Sequence, residues 1–343
     1  MGWNKSKDIF ALMVGHGKML NGAWDPGCAY GKYTEADLML KITKVAVKWL
    51  RKSGVKVLTD ATKNNNRNMT STVAWANKNK CKYYMSVHCD YKLASKGVAP
   101  LYVSSTGKKM ATSIGKFVAK KTGMKWKGAF KRKDLYELNA TNMPAVIFET
   151  GAIKADLKYL KDYKTYGKAL AKAICRFIGV KFYVSPRGKL LNMAAETFAE
   201  MTKLKFKYTV SGNSTSWAGA KKKKTSNCAT YMSYVLQRLG YLKAGQVFWC
   251  NDGVIRTKGS GTAAALKKSF TITHPKKNPK NAGLKKVDIC GYSSPAHTQM
   301  FAGYDSKGNA LWYSWGPSDL GKKLPRKRGS YNTKRIDTVL RLK

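Results

Sequence analysis

The stretch "DIFALMVGHG" (residues 8–17), taken with "TEADLMLKITKVAVKWLRKSGVKVLT" (residues 34–59), decides the fold class. "DIFALMV" is a nearly unbroken apolar run. It reads as a buried strand, since a strand covered on both faces needs no polar alternation. Residues 34–54 read as a helix. Thr34 can cap it, and Asp37 completes a capping-box-like pair. Leu38, Ile42, Val45 and Trp49 recur on one face, and Gly54 ends the pattern. "VKVLT" then reads as a second strand. A strand, a helix and a strand in this order make the unit of a parallel sheet.

The alternation continues outward. A helix is expected over 69–79, strands at "KYYMSVH" (82–88) and "GVAPLYVSS" (97–105), and a helix over 107–122. The strand "PAVIFET" (144–150) and a long helix over about 154–178 follow. This pattern predicts an α/β domain with a largely parallel sheet flanked by helices, spanning residues 1–181. "YVSPRGK" (183–189) is polar and carries Pro and Gly, so residues 182–190 read as a linker. Residues 191–343 form a second domain. Helical patterning covers about 190–204, and "TSNCATYMSYVLQRLGYL" (225–242) is a clear helix. A basic, Gly/Pro-rich loop region follows over about 250–286, then strands at "KKVDICGY", "HTQMFAGYD", "ALWYSWG" and "RIDTVLRLK". Helices followed by an antiparallel sheet are an α+β pattern. The run "KKKK" (221–224) reads as a solvated loop.

The 343 residues carry 65 Lys+Arg against 18 Asp+Glu, a formal net charge of +47. Such a surface collects on polyanions: nucleic acid, an anionic membrane face or anionic wall polymers. The excess is mostly lysine, a mobile point charge, which favours a diffuse polyanion over specific nucleic-acid reading. No stretch is long enough for a membrane span, which excludes a membrane-embedded helical protein. "KDIFALMV" lacks a cleavage-type exit, so no secretory signal peptide is expected. Synthesis in a reducing cytoplasm, with free thiols, fits the odd count of seven cysteines.

Chemistry-bearing residues gather at one edge of the first sheet. His16 follows the first strand, Glu35 opens the helix, His88 closes "YMSVH" and Glu149 closes "PAVIFE". Ligands of α/β sheets collect where strands end. Two histidines and one carboxylate make a catalytic zinc set with a position left for water, and a further carboxylate can take that water's proton. Asp25 or Asp37 could stand in for Glu35, although Asp37 falls on a different helix face. Glu149 has the least bland explanation, because a carboxylate ending an apolar run is costly unless paired or functional.

These residues carry a resemblance. "VGHG…DPG…TEADL…SVHCDY…VIFETG" resembles the zinc-dependent N-acetylmuramoyl-L-alanine amidases, over roughly residues 8–180. The resemblance implies that His16, Glu35 and His88 bind Zn2+, that Glu149 is the general base, and that peptidoglycan is the substrate. Two departures stand out. The Asp-Pro-Gly element follows His16 rather than preceding it, and Asp90 stands where Asn is usual.

A second set lies in the other domain. Cys228 begins an amphipathic helix, whose N-terminus favours a thiolate. His297 begins a strand some seventy residues later. A helix-borne thiol and a strand-borne base form the papain-type arrangement. Ser314 is expected opposite His297 across a "DSKGN" hairpin, as the group that orients the imidazole, with Asp319 as the alternative. The other six cysteines read as structural, and His274 as uninvolved. Residues 190–343 look like the papain-fold wall peptidases of the NlpC and CHAP type, which implies a cysteine endopeptidase. Tyr208 matches the aromatic cap of that resemblance.

Together these features predict a bifunctional peptidoglycan hydrolase resembling a phage endolysin. It would be made in the host cytoplasm and act at the wall, with its charge holding it to anionic wall polymers. The alternatives are a basic polyanion- or nucleic-acid-binding protein with degenerate hydrolase folds, or a pseudomurein peptidase.

Overall fold

The computed structural model describes residues 2–62, 67–90, 97–251, 253–293, 296–328, 331 and 333–343. The chain divides into two compact units, Met1–Tyr183 and Val184–Lys343.

The first unit is built on a six-stranded sheet. Its elements are β1 (Ile9–Val14), α1 (Glu35–Lys52), β2 (Lys56–Leu58), α2 (Met69–Lys78), β3 (Tyr83–Asp90) and β4 (Leu101–Tyr102). They continue with α3 (Ser105–Thr122), β5 (Phe130–Lys131), α4 (Tyr136–Asn139), β6 (Ala145–Ala152), α5 (Leu157–Leu160) and α6 (Tyr163–Phe177). The strand order is β2-β1-β3-β6-β4-β5. Every pairing is parallel except β4 with β6. One face of the sheet (Phe10, Leu12, Met85, Val87, Val146, Phe148) packs on residues of α1, α3 and α6. The other face (Ala11, Met13, Tyr84, Ala145, Ile147) packs on residues of α2 and α4. Cover on both faces is why the central strands are apolar throughout.

In α1 the Thr34 side chain accepts from the Asp37 N–H, as the sequence implied. Its buried face is centred on Leu38, Ile42, Ala46 and Leu50, with Val45 and Trp49 half-buried at its margin. The expected strand over 97–105 is cut to two residues. The expected single helix over 154–178 is two helices, because Asp162 caps a new start by accepting from the Thr165 N–H.

The second unit contains α7 (Pro186–Lys203), α8 (Trp217–Lys223), α9 (Cys228–Arg238), β7 (Val247–Asn251), β8 (Val254–Lys258), α10 (Thr262–Ser269) and β9 (Phe270–Thr273). Then come β10 (Ile289–Ser293), β11 (Ala296–Tyr304), β12 (Ala310–Tyr313), β13 (Arg326–Lys327) and β14 (Thr338–Leu342). Six of the strands form an antiparallel sheet in the order β9-β14-β10-β11-β12-β13.

Three expectations are corrected here. Residues 186–190, read as linker, form the first turns of α7. Ser185 caps it and Pro186 sits where its missing N–H costs nothing. Lys221–Lys223 of the lysine run form the last turn of α8, where positive charge suits the helix dipole. The segment 250–286, read as loop, contains most of the β7–β8 hairpin, α10 and β9. Among the described residues, no helix is long and apolar enough to cross a membrane.

Candidate active sites

His16, Glu35 and His88 converge at the end of β1 and β3. The Gly15 N–H still continues the ladder, donating to the Val87 carbonyl at 2.9 Å. His16 then adopts φ +63°, a left-handed conformation that is uncommon for a side-chain-bearing residue and turns it off the strand. Space here is tight. A Cβ on Gly15 would meet the His88 ring at 2.3 Å, and one on Gly27 would meet Glu35 Oε2 and His16 Cδ2 at 2.7 Å each.

Glu35 is the hub. It is the first residue of α1 and is almost completely buried. Its Oε1 accepts from the Cys89 N–H at 2.9 Å and lies 3.1 Å from His88 Nδ1. Its Oε2 accepts from the Cys28 N–H at 3.1 Å and lies 3.4 Å from His16 Nε2. Burial alone would raise the Glu35 pKa, but the two histidines and the Cys89 N–H outweigh it and lower it. Ligand atoms of His16, Glu35 and His88 all lie within 4.8 Å of one another. Two imidazole nitrogens and a carboxylate oxygen, packed against glycines, are a donor set that fits zinc. The set is the one the sequence named.

The two substitutes for Glu35 fall elsewhere. Asp37 is exposed. Asp25 Oδ2 lies 2.7 Å from His16 Nδ1, the ring nitrogen that points away from Glu35. Asp25 therefore orients His16 instead of competing for its place.

Glu149 pairs in register with His88 across β6 and β3. Its Oε2 is shut off from solvent and has no hydrogen-bond partner among the described residues. Burial, helped by the Glu35, Asp90 and Glu137 carboxylates and opposed by His88, pushes its pKa up to about 8. It lines a cavity of about 350 Å³ with Asp90, Leu101, Phe130 and Arg132. Asp90 thus borders the same space as Glu149.

Two cysteines read from the sequence as structural adjoin this site. Cys28 Sγ lies 3.9 Å from Cys89 Sγ, and both group with Glu35 as a possible metal-binding set. Hydrogen bonding to Cys28, then burial, raises the Cys89 pKa and favours its thiol form. Glu137 was not anticipated at all. It is buried on α4, and its Oε2 lies 3.3 Å from His88 Nε2.

In the second unit Cys228 is the first residue of α9, behind an Asn227–Thr230 capping box. Cys228, His297 and Tyr208 line one cavity of about 530 Å³. His297 Nε2 lies 2.8 Å from Ser314 Oγ, as the hairpin predicted. Asp319 is fully buried and lies 3.4 Å from Arg328 Nη1.

Arg328 was not anticipated. It lies buried between the two candidate orienting residues, donating from Nη1 to His297 Nε2 at 2.6 Å and to Ser314 Oγ at 2.7 Å. Burial, then the Arg328 charge, pushes the His297 pKa down to about 3. Burial raises that of Cys228 against the opposing Thr298 and Ala229 N–H groups. A neutral thiol and a neutral imidazole therefore face this cavity at neutral pH. His274 contacts the Asp337 carbonyl at 3.1 Å and belongs to neither site.

Neither surprise had a sequence signal. "YELN" and "PRKRG" look like ordinary polar segments, and only the fold brings Glu137 and Arg328 inward.

Residues 11–180 match the family model of the N-acetylmuramoyl-L-alanine amidases, just under half of the chain. No curated protein sequence matches. Solved structures similar to this chain include the amidase AmiC2 of Nostoc punctiforme, at 21% identity and TM-score 0.44, covering 50% of this chain and 98% of that one. The catalytic domain of the amidase CwlV from Bacillus (Paenibacillus) polymyxa is 23% identical, with TM-score 0.44 and coverage of 51% and 99%. The catalytic domain of the CD27L endolysin targeting Clostridia difficile is 22% identical, with TM-score 0.43 and coverage of 49% and 97%.

Proposed function

We propose that the chain is a peptidoglycan hydrolase with two sites. The first unit cleaves the amide between N-acetylmuramic acid and L-alanine, with zinc held by His16, Glu35 and His88. The observation that carries this reading is the convergence of those three side chains beside an unpartnered Glu149 oxygen, inside the segment that matches the amidase family. Zinc bound there would polarise the scissile carbonyl and acidify a water.

The chain's own residues supply the rest. Glu35 is fixed by two backbone N–H donors, so its oxygens cannot swing away from the histidines. Burial pushes the Glu149 pKa up to about 8 in the metal-free site, and that value would be drawn back down towards neutral by a zinc ion beside it. A group so poised can take a proton at Oε2 and return it to the leaving nitrogen. The neighbouring Phe130 and Arg132 give the cavity an apolar wall and a cation against which a peptide can lie.

The second unit, read as a papain-like wall peptidase of the NlpC and CHAP type, cuts a stem or cross-bridge peptide through Cys228 and His297. Its support is a capped helix start bearing the thiol, in one cavity with the histidine. One observation favours a second reading of this unit alone. Arg328 can only donate, so Nε2 accepts and the ring proton sits on Nδ1. In that arrangement the ring offers no free lone pair to a thiol proton, which suits a unit that grips wall peptide without cutting it. An endolysin role, with action at the wall and anionic wall polymers as a second ligand, completes the proposal.

Digesting purified walls with wild type, Glu149→Ala and Cys228→Ala, then identifying fragments by mass spectrometry, tests both sites. New L-alanine amino termini are expected from wild type and C228A and not from E149A. Other new termini are expected to vanish in C228A. Identical fragments from all three proteins would end the hydrolase reading. Fragments unchanged in C228A alone would leave the gripping role for the second unit.

A further inference from the structure

We propose that Glu137 is a positioning residue for His88, holding the outer nitrogen of its ring so that the inner one faces the zinc site. The inference rests on the zinc reading of the first unit and adds to it a residue outside the His16–Glu35–His88 set.

The geometry divides the His88 ring into two sides. Nδ1 faces Glu35 Oε1 at 3.1 Å. Nε2 is buried and makes no well-aligned hydrogen bond among the described residues, yet Glu137 Oε2 lies only 3.3 Å away. A buried ring N–H left without an acceptor is costly.

Glu137 is itself held for the purpose. Tyr84 Oη donates to its Oε1 at 2.7 Å, and Tyr84 shares a hydrogen bond of 3.0 Å with Thr72 Oγ1. Both Tyr84 and Glu137 are buried. Among the described residues, the one ion-pair partner recorded for Glu137 is His88. A carboxylate buried this deeply is costly without a donor or cation, and the Tyr84 hydroxyl and the His88 ring together offset the cost.

The other histidine shows the same pattern. His16 Nδ1 meets Asp25 Oδ2 at 2.7 Å, and Asp25 Oδ1 accepts from the Gly27 N–H at 2.9 Å. Each ring thus has Glu35 on its inner nitrogen and a separate carboxylate at its outer one. All four of His16, Asp25, His88 and Glu137 line one cavity of about 440 Å³. A carboxylate at the outer nitrogen fixes the tautomer and ring orientation and makes the inner nitrogen a better metal donor.

The test is zinc affinity of the full chain, measured after metal removal by competition with a chromophoric chelator. Glu137→Ala should weaken zinc binding by about 10–100-fold. Glu137→Gln keeps an acceptor oxygen without the charge and should fall between that variant and wild type. Thermal unfolding of the metal-free proteins separates positioning from folding. For E137Q the midpoint should match wild type while the affinity drops. Unchanged affinity in both variants, or a loss that merely tracks reduced metal-free stability, would overturn the proposal. His88→Ala is the control. If it weakens binding and the Glu137 variants do not, the positioning role fails and the zinc reading stands. If wild type binds no zinc, both fail.

Discussion

Arg328 can donate hydrogen bonds and cannot accept them. Placed 2.6 Å from His297 Nε2, its guanidinium disfavours an imidazolium at that site. With the His297 pKa down at about 3, the ring is neutral across the physiological range and cannot form an ion pair with a thiolate. Cys228, its own pKa raised by burial, then stays protonated until the pH is alkaline. The alkylation rate of Cys228, followed by peptide mass mapping with iodoacetamide, should climb with pH through 9 and show no plateau between 5 and 8. Arg328→Met should raise the rate near pH 6 several-fold, since Asp319 keeps Arg326 as a partner at 2.9 Å and the pocket can persist. A flat rate over pH 5–8 in wild type would show a preformed ion pair and remove Arg328 from this role. The sequence showed Cys228, His297 and Ser314 because each sits at a recognisable helix start or strand position. It could not show Arg328, whose place depends on β13 folding back beside β12. Glu137 was invisible for a similar reason. Its four-residue helix has too few turns to display a buried face.

Helices α1 and α6 pack at a point with no room for a side chain. A Cβ added to Gly167 would stand 2.5 Å from the Ile42 carbonyl oxygen and 2.7 Å from Val45 Cβ. The first of these is helical backbone and cannot rotate aside. Replacing glycine in a helix interior with alanine gains about 1 kcal/mol in propensity, whereas overpacking a tight core costs typically about 1–3 kcal/mol. The clash with backbone puts Gly167→Ala at the upper end of that cost, so the net effect should be destabilising. In thermal unfolding the midpoint of the first unit should fall by roughly 2–8 °C. An unchanged or higher midpoint would mean that the two helices part without penalty. At this scale the parallel sheet was readable, because apolar runs and 3.6-residue periodicity are local properties. The misread elements share a cause. Asp162 restarts a helix within an apolar pattern that looks continuous, and Ser185 starts one inside a segment whose Pro and Gly suggest a linker. In both, a single capping hydrogen bond outweighs composition. The hairpin of β7 and β8 was missed because the basic, Gly/Pro-rich stretch that follows it (259–286) dominates the composition of that segment.

Across the whole molecule, a formal charge of +47 on 343 residues is an effect that no single site explains. The ion pairs among the described residues involve few of the lysines, with Lys82–Asp8 as an example. Most of the positive charge is therefore open to external anions, and this was legible from composition because it depends on no fold. Lysine's point charge suits an array of irregular phosphates better than a fixed carboxylate fork. Attraction of this kind is long-ranged and screened. The Debye length falls from about 10 Å at 0.1 M salt to about 3 Å at 1 M. Retention of the protein on purified walls, measured by co-sedimentation with the Glu149→Ala, Cys228→Ala double variant to prevent digestion, should therefore drop steeply between those two conditions. Walls stripped of their anionic polymers should retain little protein even at low salt. If retention is the same at both salt concentrations, or survives stripping, the charge does not tether the protein. Binding would then have to come from the cavities at the candidate sites of the two units. The double variant separates these causes, because it leaves the charged surface intact while removing the two residues that would perform the chemistry.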